Sequence, residues 1–200
     1  YDAARVLFEK EENPVVAGAL LKIFGPKWPD EFISKITPKI TSPHLSVRVA
    51  VLEVLTQRDP KLLSPHLPEM LTSPDPRTRG LALRALYFID PEEAIAHLEM
   101  YFFSSEKEKK IAGIQNSFFF PFEQTKSVLF KYLAAENDPE LLERVGLLFA
   151  SNPDPETPFQ LYEIVEKSNK EKGAIIKKIL NEACKVLERT NLLGENFKVY

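Results

Sequence analysis

Proline inside an α-helix removes a backbone donor and clashes with the preceding turn. Sixteen prolines in 200 residues therefore mark helix ends in any helical fold of this chain, and their positions are regular. Pro29, Pro60, Pro91 and Pro121 are separated by 31, 31 and 30 residues, and Pro14, Pro43 and Pro74 by 29 and 31. Two interleaved series imply two helices per repeating unit.

The residues around the prolines support helix starts. Proline suits the first helical position, where its missing N–H has no intrahelical partner. Asp59, Asp75, Asp90, Asp138 and Asp154 each precede a proline, as do Ser42, Ser64 and Ser73, and their short side chains can accept from the unpaired N–H groups of a first turn. Acidic residues often follow, as at Glu92, Glu93, Glu140 and Glu156, where they suit the positive end of the helix dipole. Between the starts the apolar spacing is helical: Thr78, Ala82, Leu86 and Ile89 share a face, and a shift of 31 residues places Val47, Val51 and Leu55 on the first three of those positions. Leu63, Leu67 and Met70 match Ala94, Leu98 and Tyr101 after the same shift.

This spacing predicts a leading helix near 2–12, then pairs at 14–25 with 29–41, 42–56 with 60–72, 75–89 with 91–104, 106–119 with 121–135 and 139–151 with 155–168, and a final helix near 170–189. Neither helix of a pair can bury its apolar stripe alone, so neighbours must stack and share a core. The expected fold is all-α, a right-handed α-solenoid of stacked antiparallel helix pairs forming a single domain over 1–200. Tyr1 stands where Met would open a complete chain, and helical spacing starts at Asp2, so the sequence reads as an excerpt of a longer chain whose leading and final helices would show apolar outer faces if further repeats adjoin.

At this point the residues resemble a known family. SPDPRTRGLALRAL (73–86) is similar to the first helix of a HEAT repeat: an acidic-proline turn at Asp75-Pro76, an apolar or β-branched residue before arginine at Thr78-Arg79, a small residue at Ala82 and leucine at Leu86. SPHLSVRVAVLEVL (42–55) matches through Val47-Arg48, Val51 and Leu55; ENDPELLERVGLLF (136–149) matches through Leu141, Val145 and Phe149 but has Leu142 where arginine is expected. SSEKEKKIAGIQNSF (104–118) keeps only the rhythm. The resemblance implies a scaffold shared by many unrelated activities, with the second helices lining a concave face. Lys35, His66 and His97 then form a row there, continued by Ser127, with Glu69 one turn after His66.

Two histidines and a carboxylate are formally a metal-ligand set, yet no third histidine lies near, since His44 falls in a turn; solvated or half-buried side chains are the plainer reading. Enzymes of related architecture fit poorly. Deoxyhypusine hydroxylases of this kind carry His-Glu dipeptides for iron, and this chain has none. DNA-base glycosylases use a basic concave surface, whereas 26 basic residues stand against 29 acidic ones and the single Trp28 falls in a turn. Bilin lyases have a similar repeat length; nothing marks a tetrapyrrole pocket, but a HEAT-like enzyme such as a bilin lyase or a DNA-base glycosylase stays the alternative to a non-enzymatic role. The chain also lacks a phosphate-cradling glycine loop and a metal-type cysteine cluster. These readings leave no expected cofactor or metal and no catalytic residue.

The net charge of -3 argues against nucleic acid as a partner. No apolar run reaches the roughly 18 residues of a membrane span. Lone Cys184, among Ile179, Leu180, Ala183 and Leu187 at helical spacing, reads as a buried small apolar residue in a reducing, cytoplasmic setting.

The last feature is SFFFPF (117–122), within a stretch where eleven of the aromatic residues fall between Tyr87 and Tyr132. Repeat alignment sets Phe118, Phe119 and Phe120 on Phe88, Ile89 and Asp90. Phe118 and Phe119 are then expected in the core, and Phe120 in a capping position, where it cannot accept a hydrogen bond and must be repaid by burial. The combined expectation is a non-enzymatic scaffold or regulatory module, of a signalling type, that binds a protein or peptide through Lys35, His66, Glu69, His97, Tyr101, Phe120 and Phe122, since aromatic anchors dominate interface energetics.

Overall fold

The computed structural model describes residues 2–190; Tyr1 and residues 191–200, which the expected 1–200 domain also takes in, lie outside that range. Twelve α-helices follow one another: α1 (Asp2–Lys10), α2 (Pro14–Phe24), α3 (Asp30–Ile36), α4 (Leu45–Arg58), α5 (Leu67–Leu71), α6 (Pro76–Ile89), α7 (Pro91–Phe102), α8 (Lys107–Ser117), α9 (Phe122–Ala135), α10 (Pro139–Ser151), α11 (Thr157–Lys167) and α12 (Lys170–Arg189). Three 3₁₀ segments, Gly25–Lys27, Thr37–Thr41 and Pro60–His66, join them, with no strand among the described residues. The fold is an all-α helical repeat. None of these helices is long and apolar enough to cross a membrane.

Proline placement explains both the agreement and the exceptions. Asp75, Asp90 and Asp138 cap as expected: Asp75 Oδ2 accepts from Thr78 N at 2.8 Å and Thr78 Oγ1 at 2.6 Å, Asp90 Oδ1 from Glu93 N at 3.0 Å, and Asp138 Oδ1 from Glu140 N at 2.9 Å. Ser42 and Ser73 act one step earlier, as turn-makers: their hydroxyls accept from His44 N and Asp75 N, and the helices begin at Leu45 and Pro76. The second helices expected at 29–41 and 60–72 are each part α and part 3₁₀. Pro38 lies in the 3₁₀ segment Thr37–Thr41 and Pro65 in Pro60–His66, with Pro68 just beyond, and each removes a donor that a continuous α-helix would use.

The described residues form two compact units, dividing between His97 and Leu98. In the first, α2 packs on α4 and α4 on α6, while each second helix packs on the first helix that follows it. In the second, α8 packs on α10 and α10 on α12. The predicted inward positions are buried: Val47, Val51 and Leu55 in α4, Thr78, Ala82 and Leu86 in α6, and Leu141, Val145 and Phe149 in α10. Cys184 is buried in α12. Trp28 lies in a turn, as expected, but fully inside, stacked edge-on with Phe32 at 4.8 Å and tilted on Phe8 at 5.4 Å.

Polar stitches recur at the repeat period. In the first unit Ser46 Oγ donates to Pro14 O at 2.9 Å, Lys22 pairs with Glu53 at 3.1 Å, and Arg58 donates to Pro26 O at 2.9 Å, each across 31 or 32 positions. In the second, Lys131 pairs with Glu99 at 3.1 Å, Lys107 with Asp138 at 2.8 Å and Lys126 with Glu156 at 3.1 Å, across 30 to 32 positions. Exposed pairs of this kind are worth about 0–1 kcal/mol, so the apolar faces hold the stack and the pairs fix its register. Lys126 is the exception, because it and Asp154, 2.5 Å away, are both largely out of solvent.

The repeat arginines are structural. Arg79 donates to Ser73 O at 2.6 Å and Pro74 O at 2.9 Å; Arg48 repeats this with Ser42 O at 2.7 Å and Pro43 O at 3.0 Å. Each guanidinium ties the turn before a first helix to that helix's first turn.

A buried charge cluster sits at the end of α9. Glu136 accepts from Lys110 Nζ at 2.7 Å, Asn137 N at 2.8 Å and Asp138 N at 2.9 Å. Burial opposes its ionisation, but Lys110 and those two amides outweigh it and hold the carboxyl down to about 2. Burial, with the charge of Glu136, pushes the Tyr132 phenol far above its usual value. Buried Lys172 donates to Ala134 O at 2.7 Å, covering a carbonyl in the last turn of α9, and burial lowers its pKa while Glu136 resists.

Candidate functional site

The residues of the predicted row have separate local surroundings. Lys35, on α3, is exposed, 4.0 Å from Glu9 and 5.8 Å above the Phe32 ring, so it belongs to the aromatic cluster around Trp28. His97, on α7, is half-buried with Nε2 4.0 Å from Glu93. His66 and Glu69 do come together: both line a cleft of about 480 Å³ in the first unit, with Arg48, Met70, Asp75 and Thr78 among its other walls. Thr41 and Ser42 on one side, and Thr72 and Ser73 on the other, bring the turns before α4 and α6 to the same cleft. Asp75 is kept below the usual carboxylate range: burial works against it, but the Thr78 hydroxyl and amide, the Arg77 amide and the Arg77 charge prevail. No group of three or more His, Cys, Asp or Glu side chains suited to a metal occurs among the described residues.

In the second unit the aromatic positions sort differently from the sequence expectation. Tyr101 is 7% exposed and Phe120 6%, so neither presents its ring to solvent. Phe122 is half-buried, edge-on to the fully buried Phe149 at 5.5 Å. Phe118 and Phe119, expected in the core, are 49% and 56% exposed.

The last turn of α8 accounts for this reversal. Its inward positions are filled by Gly113, Asn116 and Ser117. Asn116 donates to Ala112 O at 2.8 Å and Ser117 Oγ to Gly113 O at 2.9 Å, so these polar side chains are satisfied inside the helix. A Cβ on Gly113 would stand 3.3 Å from Tyr101 Cβ, which shows how closely α7 approaches there. The next inward position at helical spacing is Phe120, leaving Phe118 and Phe119 outside. The backbone then tightens, Phe119 N donating to Asn116 O at 3.0 Å and Phe120 N to Ser117 O at 3.3 Å. Pro121 takes the N-cap position of α9 without a side-chain cap, so Phe120 lies one residue before the cap and its burial places it among the core residues.

Sequence reasoning missed the outward pair because it took Phe88 as an inward template, and Phe88 is itself exposed. The small and polar run Gly113, Asn116, Ser117 was the available signal.

Comparison with known proteins bears on the architecture. Residues 33–116 match the family described as HEAT repeats. No curated protein matches the chain. A crystal structure of an engineered protein from the Northeast Structural Genomics Consortium is similar over 94% of this chain and 97% of that one, at 16% identity and a TM-score of 0.40. Residues 33–116 thus match HEAT repeats, and helix pairs of the same rhythm lie on either side; the chain as a whole is an all-α helical-repeat protein.

Proposed function

We propose that the protein is a non-enzymatic interaction scaffold that docks a protein or peptide through the aromatic turn closing α8. The observation that carries this reading is the adjacent pair Phe118 and Phe119, both about half exposed on a turn whose next residue, Phe120, is locked in the core. A single exposed apolar side chain is ordinary. Two neighbouring rings on a backbone fixed from beneath can offer large contact area with little further ordering cost, which favours aromatic anchors.

Tyr101 and Phe120 contribute to this site as its support rather than as contacts. His66 and Glu69, which line the cleft of the first unit, are a separate candidate contact set.

The test is a selection of displayed peptides on the immobilised protein, followed by chemical-shift mapping of an enriched peptide. Shifts concentrated at 116–122 are expected. Enriched peptides that leave this turn unperturbed would overturn the reading.

A further inference from the structure

Lys172, in the first turn of α12, is only 7% exposed, and a buried ion ordinarily has an opposite charge in contact. Its ammonium carries three donors. One goes to Ala134 O at 2.7 Å, a neutral acceptor, and no carboxylate among the described residues is in ion-pair contact with it. Glu136 is the carboxylate whose charge it feels. That group is already occupied, by Lys110 at 2.7 Å and by the amides of Asn137 and Asp138. Lys110 and Lys172 thus stand against a single Glu136, and one positive charge is left over.

This surplus borders a space. Lys172 and Ala134 both line a cavity of about 340 Å³ within the second unit, a size at the small end of ligand pockets. The other charges on its wall, Lys167 and Glu163, are exposed and pair with each other at 3.8 Å, so the net charge of the lining is that of the buried ammonium. Asn169 lines the same cavity. Its Oδ1 accepts from Lys172 N at 2.9 Å, which leaves its Nδ2 to donate. Ile164 and the Ala134 methyl supply apolar wall.

We propose that this cavity, independent of the α8 turn, binds a small organic monocarboxylate, its head accepting from Lys172 Nζ and Asn169 Nδ2 and its short apolar body lying against Ile164 and Ala134. A single negative charge matches the single surplus charge of the lining. A phosphate dianion would bring a second charge toward Glu163.

The probe is sodium butyrate, titrated into protein carrying ¹³C-labelled lysine, with sodium phosphate and sodium chloride at matched ionic strength as the other arms. Butyrate should move the Lys172 Cε–Hε signal saturably, with a Kd no weaker than about 10 mM, and phosphate and chloride should leave it in place. Asn169→Asp keeps a good capping residue at the start of α12 while adding a negative charge to the wall. This variant should melt no lower than the wild type, and its Kd for butyrate should rise at least about tenfold. No saturable shift, an equal response to phosphate or chloride, or an Asn169→Asp protein that binds butyrate as tightly as the wild type would overturn the proposal.

Discussion

Acid should unfold the second unit through Glu136. Its folded pKa is about 2 against an ordinary 4.5, a difference worth about 3 kcal/mol at neutral pH. Because the folded value is the lower one, this stabilisation is complete above the unfolded pKa and disappears as pH falls toward 2. About three fifths of it should be lost by pH 3. Other carboxylates held low, Asp75, Asp138, Asp154, Glu140 and Glu182, also titrate in this range, so the useful quantity is a difference between proteins. Urea unfolding of the wild type and Glu136→Gln at intervals from pH 7 to pH 2 supplies it. Glu136→Gln removes the titrating group while keeping its shape, and leaves Lys110 without its partner. The variant should be weaker by about 3 kcal/mol at pH 7 and the two proteins should converge near pH 2. Parallel curves across the whole range would refute the assignment of this buried carboxylate.

Other substitutions test separate parts of the structure. Tyr101→Ala should cost about 3–5 kcal/mol in chemical denaturation, whereas Phe119→Ala should stay within about 1 kcal/mol, because one ring is buried and the other faces solvent. Gly146→Ala should destabilise by about 1–3 kcal/mol, since a Cβ there would meet Ile179 Cγ1 at 2.7 Å where α10 crosses α12; an unchanged Tm would show that the crossing is looser. Arg79→Met should lower stability by about 2 kcal/mol through the loss of two charged hydrogen bonds to the Ser73 and Pro74 carbonyls, and a neutral result would remove the arginine from the turn.

The helices were legible because Asp-Pro and the 31-residue rhythm act locally: a cap and a proline fix a helix start without reference to the rest of the chain. The α and 3₁₀ division of the second helices was harder to read, because Pro38, Pro65 and Pro68 decide it through individual missing donors while the apolar spacing stays helical. Inward positions in α4, α6 and α10 followed from periodicity. Phe118 and Phe119 did not, because alignment to another repeat carries over a place in the rhythm and says nothing of whether the template itself faces inward. The row of Lys35, His66 and His97 was drawn from equivalent positions, which say nothing of local partners such as Glu9 and Phe32 beside Lys35. The register-fixing pairs, Lys22 with Glu53 and Lys107 with Asp138, stand one period apart in sequence. Opposite charges at that separation become a readable signal only once the repeat is recognised.

The docking role of the α8 turn is tested most directly by titrating a display-selected peptide against the wild type and Phe119→Ala by fluorescence anisotropy, with Tm measured on the same samples. The account predicts at least about a tenfold rise in Kd, equivalent to about 1.4 kcal/mol, at unchanged Tm. Equal Kd values for the two proteins would contradict it.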